Sequence, residues 1–148
     1  MDNKYLADFQ IIGNSIRNLK IKNDFISLKE KNDTKKKIDI SHSIVSVEEM
    51  FEEKIILGTI LLNIKVSISS NKKKYNLDMA IEGCFNAPLE MGEETFINML
   101  KVNGITSLYS IARGFVQSTT SQTLVDGNVL LPMLNVVAYS KDLDEIEK

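Results

Sequence analysis

Cysteine, histidine, tryptophan and proline are nearly missing from this 148-residue chain: one cysteine, one histidine, no tryptophan and two prolines. A lone Cys84 excludes an intrachain disulfide and a cysteine-based metal cage, and it suits a reducing compartment. With His42 the only imidazole, no nitrogen and sulfur ligands converge at metal-site spacing. None of the seven glycines builds a phosphate-cradling loop, so neither nucleotide nor any other cofactor is expected. No stretch approaches the ~18 consecutive apolar residues of a membrane span. The opening MDNKYLADFQ lacks the basic head and apolar run of a secretory signal. A formal charge of −2 supplies no general attraction to nucleic acid. The expectation is a cytoplasmic protein without membrane insertion or nucleic-acid binding. The clusters Lys35–Lys37 and Lys72–Lys74 read as solubility and strand-edge protection.

What is present is alternation. From Ile56 to Ile68, Ile56, Ile60, Leu62, Ile64, Val66 and Ile68 share one parity, and Thr59, Asn63, Lys65 and Ser67 take the other. Sustained period two with β-branched residues on one face is a half-buried strand. Burying those six side chains contributes on the order of 9–18 kcal/mol at most, before entropy, so this strand is expected to be central. Gly58 on its apolar face marks a bulge or a close approach. After a polar hairpin, Ser69–Lys74, the run Tyr75–Ile81 alternates again and should pair antiparallel with it. Lys37–Val45 turns Ile38, Ile40 and Ile44 inward, with His42 on the same side. Phe9–Ile21 is a fourth strand, interrupted or bent at Gly13-Asn14.

The second half changes period. A short helical turn is expected over Glu93–Leu100. A long helix follows over about Thr106–Ser121, with Ile105, Leu108, Ile111, Ala112, Phe115 and Val116 at helical spacing and Thr106 or Ser107 as N-cap. Gly114 inside it suggests close packing against another backbone. An apolar crossover loop, Leu124–Leu131, leads to a second helix beginning near Pro132–Asn135 and running toward Ile146, where the end turns acidic. The fold class is α+β: a four-stranded antiparallel sheet with two C-terminal helices packed on one side, one domain over 1–148 with its core in about 6–140.

Little of this is catalytic. Glu48-Glu49 and Glu52-Glu53 read as solvated charges in a loop or short helix. Cys84 needs an activating base to act as a nucleophile, and only His42 is on offer. Ser118–Ser121 is a polar helix end suited to local capping.

Several motifs, in order, carry a resemblance. Phe9-Gln10-Ile11 resembles a Phe-Gln-Ile strand opening, and Gly83-Cys84-Phe85 a Gly-Ile-Phe strand ending. Leu108-Tyr109-Ser110-Ile111-Ala112-Arg113 resembles Phe-Pro-Tyr-Ala-Arg in a first long helix, and Leu131-Pro132-Met133-Leu134-Asn135-Val136 resembles Leu-x-Pro-x-Asn-Phe at the start of a second. These are motifs of the SecB protein-export chaperone family, which the chain resembles over roughly residues 6 to 140. The resemblance implies a non-enzymatic, ATP-independent holdase that binds non-native polypeptide and assembles as a dimer of dimers. Its client groove would include Val125, Leu130, Leu131, Met133 and Leu134, and its oligomer interface Tyr109, Ala112, Gly114, Ser118 and Ser121. Well-studied members dock the SecA motor through acidic residues. Here Asn18 and Lys22 replace two of them, and Asp78 alone keeps an acid. Loss of the motor site with retention of the groove fits members that protect the antitoxin of a toxin–antitoxin system. The alternatives are a small apolar-ligand-binding module without chaperone activity, and an enzyme built on Cys84 and His42.

Overall fold

In the computed structural model, which describes residues 4, 6–28 and 34–146 with side chains through 142, four long strands are followed by helices. The strands are β1 (Gln10–Asn23), β2 (Thr34–Met50), β3 (Ile55–Ser70) and β4 (Lys73–Pro88). They form one antiparallel sheet in the order β1-β4-β3-β2, so the two most apolar strands lie in the middle. The hairpin between β3 and β4 is tighter than expected. Only Asn71 and Lys72 lie outside the strands, and Asn71 takes a positive φ of 56° that its short side chain tolerates. Glu48 and Glu49 belong to β2 and not to a loop.

Every even-numbered residue of β3 from Ile56 to Ser70 is buried, and so is every odd-numbered residue of β4 from Tyr75 to Ala87. One face of the sheet is therefore the core face. Gly13-Asn14 does not interrupt β1; the strand runs through, with register shifts between Ile11 and Gly13 and between Ile16 and Asn18.

The helices are α1 (Glu93–Met99), α2 (Ile105–Thr123) and α3 (Val136–Ile146). A π turn, Leu100–Gly104, joins α1 to α2 without a break. The expected cap at Thr106 or Ser107 is thus a correction. Both residues are inside the helix, and their hydroxyls donate back to the Val102 and Asn103 carbonyls at 2.7 and 2.9 Å. The π turn has a packing reason. Its i→i+5 bond brings Ile105 round beneath Leu100, so one apolar stripe continues through Phe96, Leu100, Ile105, Leu108, Ala112, Val116 and Thr120, all buried.

That stripe meets the core face at its two glycines. A Cβ on Gly58 would lie 2.4 Å from Phe96 Cε1, and one on Gly83 would lie 2.7 Å from Leu108 Cδ2. Of the two meanings read for Gly58, close approach is the one realised. Gly114 has no neighbour within 4 Å of its would-be Cβ, so its expected close packing does not occur within the chain. The second helix starts at Val136 and not at Pro132. Asn135 caps it as expected, its Oδ1 accepting the Ala138 N–H at 3.1 Å. The acidic end past 142 lies outside the residues whose side chains are described.

Candidate functional site

The crossover between α2 and α3 is held by its main chain. Leu124 N–H donates to the Thr120 carbonyl at 2.9 Å, closing α2. Val125 N–H donates to the Ile26 carbonyl at 3.2 Å, and a parallel bridge joins Ser27 to Asp126. The Asp126 carboxylate accepts the Ser27 hydroxyl at 2.6 Å and the Leu28 N–H at 2.9 Å. Gly127, at φ 76°, turns the chain back toward α2. There Val129 N–H donates to the buried Thr120 Oγ1 at 2.8 Å. Arg113 Nε donates to the Leu131 carbonyl at 2.9 Å, and the Tyr109 hydroxyl donates to the Pro132 carbonyl. Tyr109 and Arg113 are one helical turn apart, so both reach the loop from one face of α2. The Tyr-x-x-Ala-Arg and Leu-Pro motifs read from the sequence are therefore two halves of one contact.

Clamping the backbone sorts the side chains. Leu124, Val129, Leu131 and Val136 point into the core, while Val125, Leu130 and Met133 stand 45%, 58% and 82% exposed. Leu134 is half-buried against the core. Of the five groove residues expected, the structure thus brings Val125, Leu130 and Met133 to the surface, leaves Leu134 at its margin, and places Leu131 in the core. Val137, exposed on α3, extends the row.

Sequence reasoning missed Phe25. It is 73% exposed at φ 66°, a backbone conformation unusual for a bulky residue. The Asn23 side chain holds it by accepting the Phe25 N–H at 3.0 Å. Because Ile26 bonds to Val125, Phe25 adjoins the same loop. The available signal was the turn-prone pair Asn23-Asp24 just before an aromatic residue.

The expected interface residues also divide. Tyr109 and Ala112 are buried within the chain, under the crossover and against the sheet. Gly114, Ser118 and Ser121 face outward, together with Ile111, which is 40% exposed. Ser121 Oγ donates to the Ser118 carbonyl at 2.7 Å, the local capping expected of a polar helix end. Asp78 lies on the uncovered sheet face between Lys20 on β1 and Lys65 on β3, its partners across the two ladders.

Cys84 and His42 do not form a nucleophile–base pair. Cys84 stands opposite Thr59 and His42 opposite Leu62, positions of opposite parity on β3, so the two side chains leave opposite faces of the sheet. His42 Nδ1 instead lies 3.0 Å from the Tyr139 hydroxyl, with the rings edge to face, and this contact fastens α3 to β2. Among the described residues, no group of three or more His, Cys, Asp or Glu side chains is placed to hold a metal ion. Nor is any described helix long and apolar enough to cross a membrane.

Three of the fastening contacts use tyrosines, and burial holds all three phenols above their ordinary value of 10.0. For Tyr75 the Thr123 hydroxyl, 2.6 Å away, offsets part of the rise, as the Arg113 charge does for Tyr109. A folded-state pKa above the unfolded one favours the folded protein fully below the unfolded value, and that advantage is lost as pH rises through the folded one. Stability is therefore expected to be level from neutral pH to about 10 and to fall above it. Tyrosinate absorbance and helical circular dichroism should change together; free titration of the phenols in the folded protein would contradict this.

No protein-family model and no curated protein matches the chain. Solved structures do: the sheet with its helices laid over one face matches the fold of a SecB-like chaperone. The SecB-like chaperone Rv1957 of Mycobacterium tuberculosis, solved in complex with a ChAD peptide from the HigA1 antitoxin Rv1956, aligns with a TM-score of 0.68 and 15% identity. The alignment covers 86% of this chain and 91% of that one. A protein of unknown function from Streptococcus agalactiae aligns over 86% of this chain and 100% of that one, with a TM-score of 0.46 and 13% identity.

Proposed function

We propose that this protein is a SecB-like, ATP-independent holdase that captures non-native polypeptide, with an antitoxin as its favoured client. The observation that carries the reading is the clamped crossover, which presents Val125, Leu130 and Met133 to solvent beside Phe25. Apolar side chains held outward on an ordered backbone are a binding surface and not a packing defect. Covering Leu130, Met133 and Phe25 contributes roughly 1.5–3 kcal/mol each before ordering costs, which makes them anchors of a reversible capture that further client contacts must complete. Methionine at the most exposed position adapts to clients of different shape.

The SecB-like neighbour was solved holding an antitoxin peptide, which supports a polypeptide client here. The open sheet face does not favour the SecA motor, because Asp78 is flanked by lysines. Copies of the chain associate, in this reading, through the outward face of α2, where Ile111, Gly114, Ser118 and Ser121 permit close approach.

The test is light-scattering mass after size exclusion, with an unfolded client and no nucleotide. An oligomer that gains the client's mass is expected. Leu130→Asp/Met133→Asp should weaken capture at least about tenfold, by removing two anchors, and leave the melting temperature unchanged because both side chains are exposed. Undiminished capture by that variant would rule out this loop as the client site.

A further inference from the structure

The face of the sheet turned away from the helices carries a concentrated positive charge at its hairpin end. Three rows cross it. Lys35, Ser69 and Lys74 form one; Lys37, Ser67, Asn76 and Lys22 the next; Asp39, Lys65, Asp78 and Lys20 the third. All six lysines are exposed, against two aspartates within the rows and Asp24 at the corner, whose carboxylate accepts the Lys74 backbone N–H at 2.9 Å. Among the described residues only Lys37 of the six makes an ion pair, to Asp39 at 3.5 Å. Two shallow depressions, of about 400 and 430 Å³, meet at Asn76 and are edged by Lys20 and Lys22 on one side and by Lys35, Lys37 and Lys74 on the other.

Edge protection explains lysines on β1 and β2, the outer strands. It does not explain Lys65 or Lys74, which belong to the central strands β3 and β4. With strands ~4.8 Å apart and same-face residues ~6.8 Å apart along each, the six amines root within about 14 Å in either direction. That is little more than the ~8–10 Å screening length at physiological salt, so they attract jointly. The net charge of the whole chain is −2, which makes the patch a local feature and not a general bias.

We propose that this face docks an acidic polypeptide segment, on the side of the sheet opposite the client loop. An extended segment with acids at alternate positions repeats every ~6.8 Å on one side, the spacing of Lys20 to Lys22 and of Lys35 to Lys37 along their strands. Ser67, Ser69 and Asn76, between the lysines, offer hydrogen bonds to its backbone. Nucleic acid fits less well. No aromatic side chain lies in these rows for base stacking, the flat face has no element to enter a groove, and the patch holds no arginine. An anionic membrane would press uniform charge on Asp39 and Asp78, which a peptide with spaced acids avoids.

Fluorescence anisotropy with a labelled short peptide alternating glutamate and serine tests this, beside an oligothymidylate and phosphatidylserine-containing vesicles. Salt-sensitive binding of the peptide is expected, weakened at least about tenfold in Lys22→Glu/Lys65→Glu by loss of complementary charge. The control Lys54→Glu/Lys141→Glu has the same change in net charge and should bind nearly as wild type. Lys22→Gln/Lys65→Gln should fall between, and circular dichroism melts confirm that each variant folds. No binding of the peptide, an equal loss in the control, or tighter binding of oligothymidylate or vesicles would overturn the proposal. Leu130→Asp/Met133→Asp should leave peptide binding intact, so failure of the client site and failure of this one are distinguishable.

Discussion

Phe96→Ala is expected to lower the stability of the fold by about 3–5 kcal/mol, as removal of a fully buried ring does when its surroundings cannot close. The ring is fully buried in the middle of α1, directly over Gly58 on β3, and Phe9 packs beside it with ring centroids 5.6 Å apart. A sheet cannot flex toward a helix to fill such a space, because each strand is pinned by its neighbours. Gly58 makes the prediction sharper. Gly58→Ala alone should cost about 1–3 kcal/mol, since the new methyl meets Phe96. Added to Phe96→Ala, the same methyl should cost clearly less, because it enters the space the ring has left and still meets only Leu100 Cδ1, the end of a flexible side chain that can give way. Urea denaturation of the two single variants and the double variant measures this coupling. An identical cost for Gly58→Ala in both backgrounds would mean that the contact is not what requires glycine there.

Asp126→Ala should cost about 2–3 kcal/mol, and the damage should be local. The carboxylate accepts the Ser27 hydroxyl and the Leu28 N–H, bonds strengthened by its charge. Alanine leaves the part-buried Leu28 N–H without that partner and frees the segment after β1 from the crossover. Hydrogen exchange at Leu28 and Val125 should accelerate together, while amides in the centres of β3 and β4 stay protected. Client capture should weaken as well, because Phe25 and Val125 lose their common footing. Asp126→Asn keeps an acceptor and should retain part of the stability. Uniform acceleration across the sheet, or a cost below about 0.5 kcal/mol, would show that this tie is not what orders the loop.

How much of this was legible in the sequence depended on whether one side chain row alone carried the signal. β3 and β4 alternate because one of their faces is core, and the period-two pattern shows it without help. The ends of β2, Thr34–Lys36 and Val47–Met50, are held by backbone pairing to β3, and the lysines and glutamates there look the same in a strand as in a loop. The continuity of α1 into α2 was hidden by the π turn, whose extra residue breaks the 3.6 spacing and mimics a helix start at Thr106.

On α2, spacing identified an apolar stripe but not what the stripe faced. Tyr109 and Ala112 turned out to face this chain's own crossover and sheet. The clamp itself joins residues 18 and 23 positions apart, and only the folded chain brings them together. Resemblance to known motifs pointed to the crossover segment, yet it could not separate Leu131, in the core, from its neighbours Leu130 and Met133 at the surface.

Tyr109 and Arg113 hold the crossover by the carbonyls of Pro132 and Leu131, atoms that every amino acid supplies. The outward positions are thereby freed from any duty to the fold. Leu130 and Met133 can be exchanged for other side chains over generations while the path of the loop stays as it is. Stability and selectivity are thus inherited separately. On the proposed client-loop reading, a lineage carrying this architecture can change the polypeptide it holds by a few surface substitutions, without passing through an unfolded ancestor.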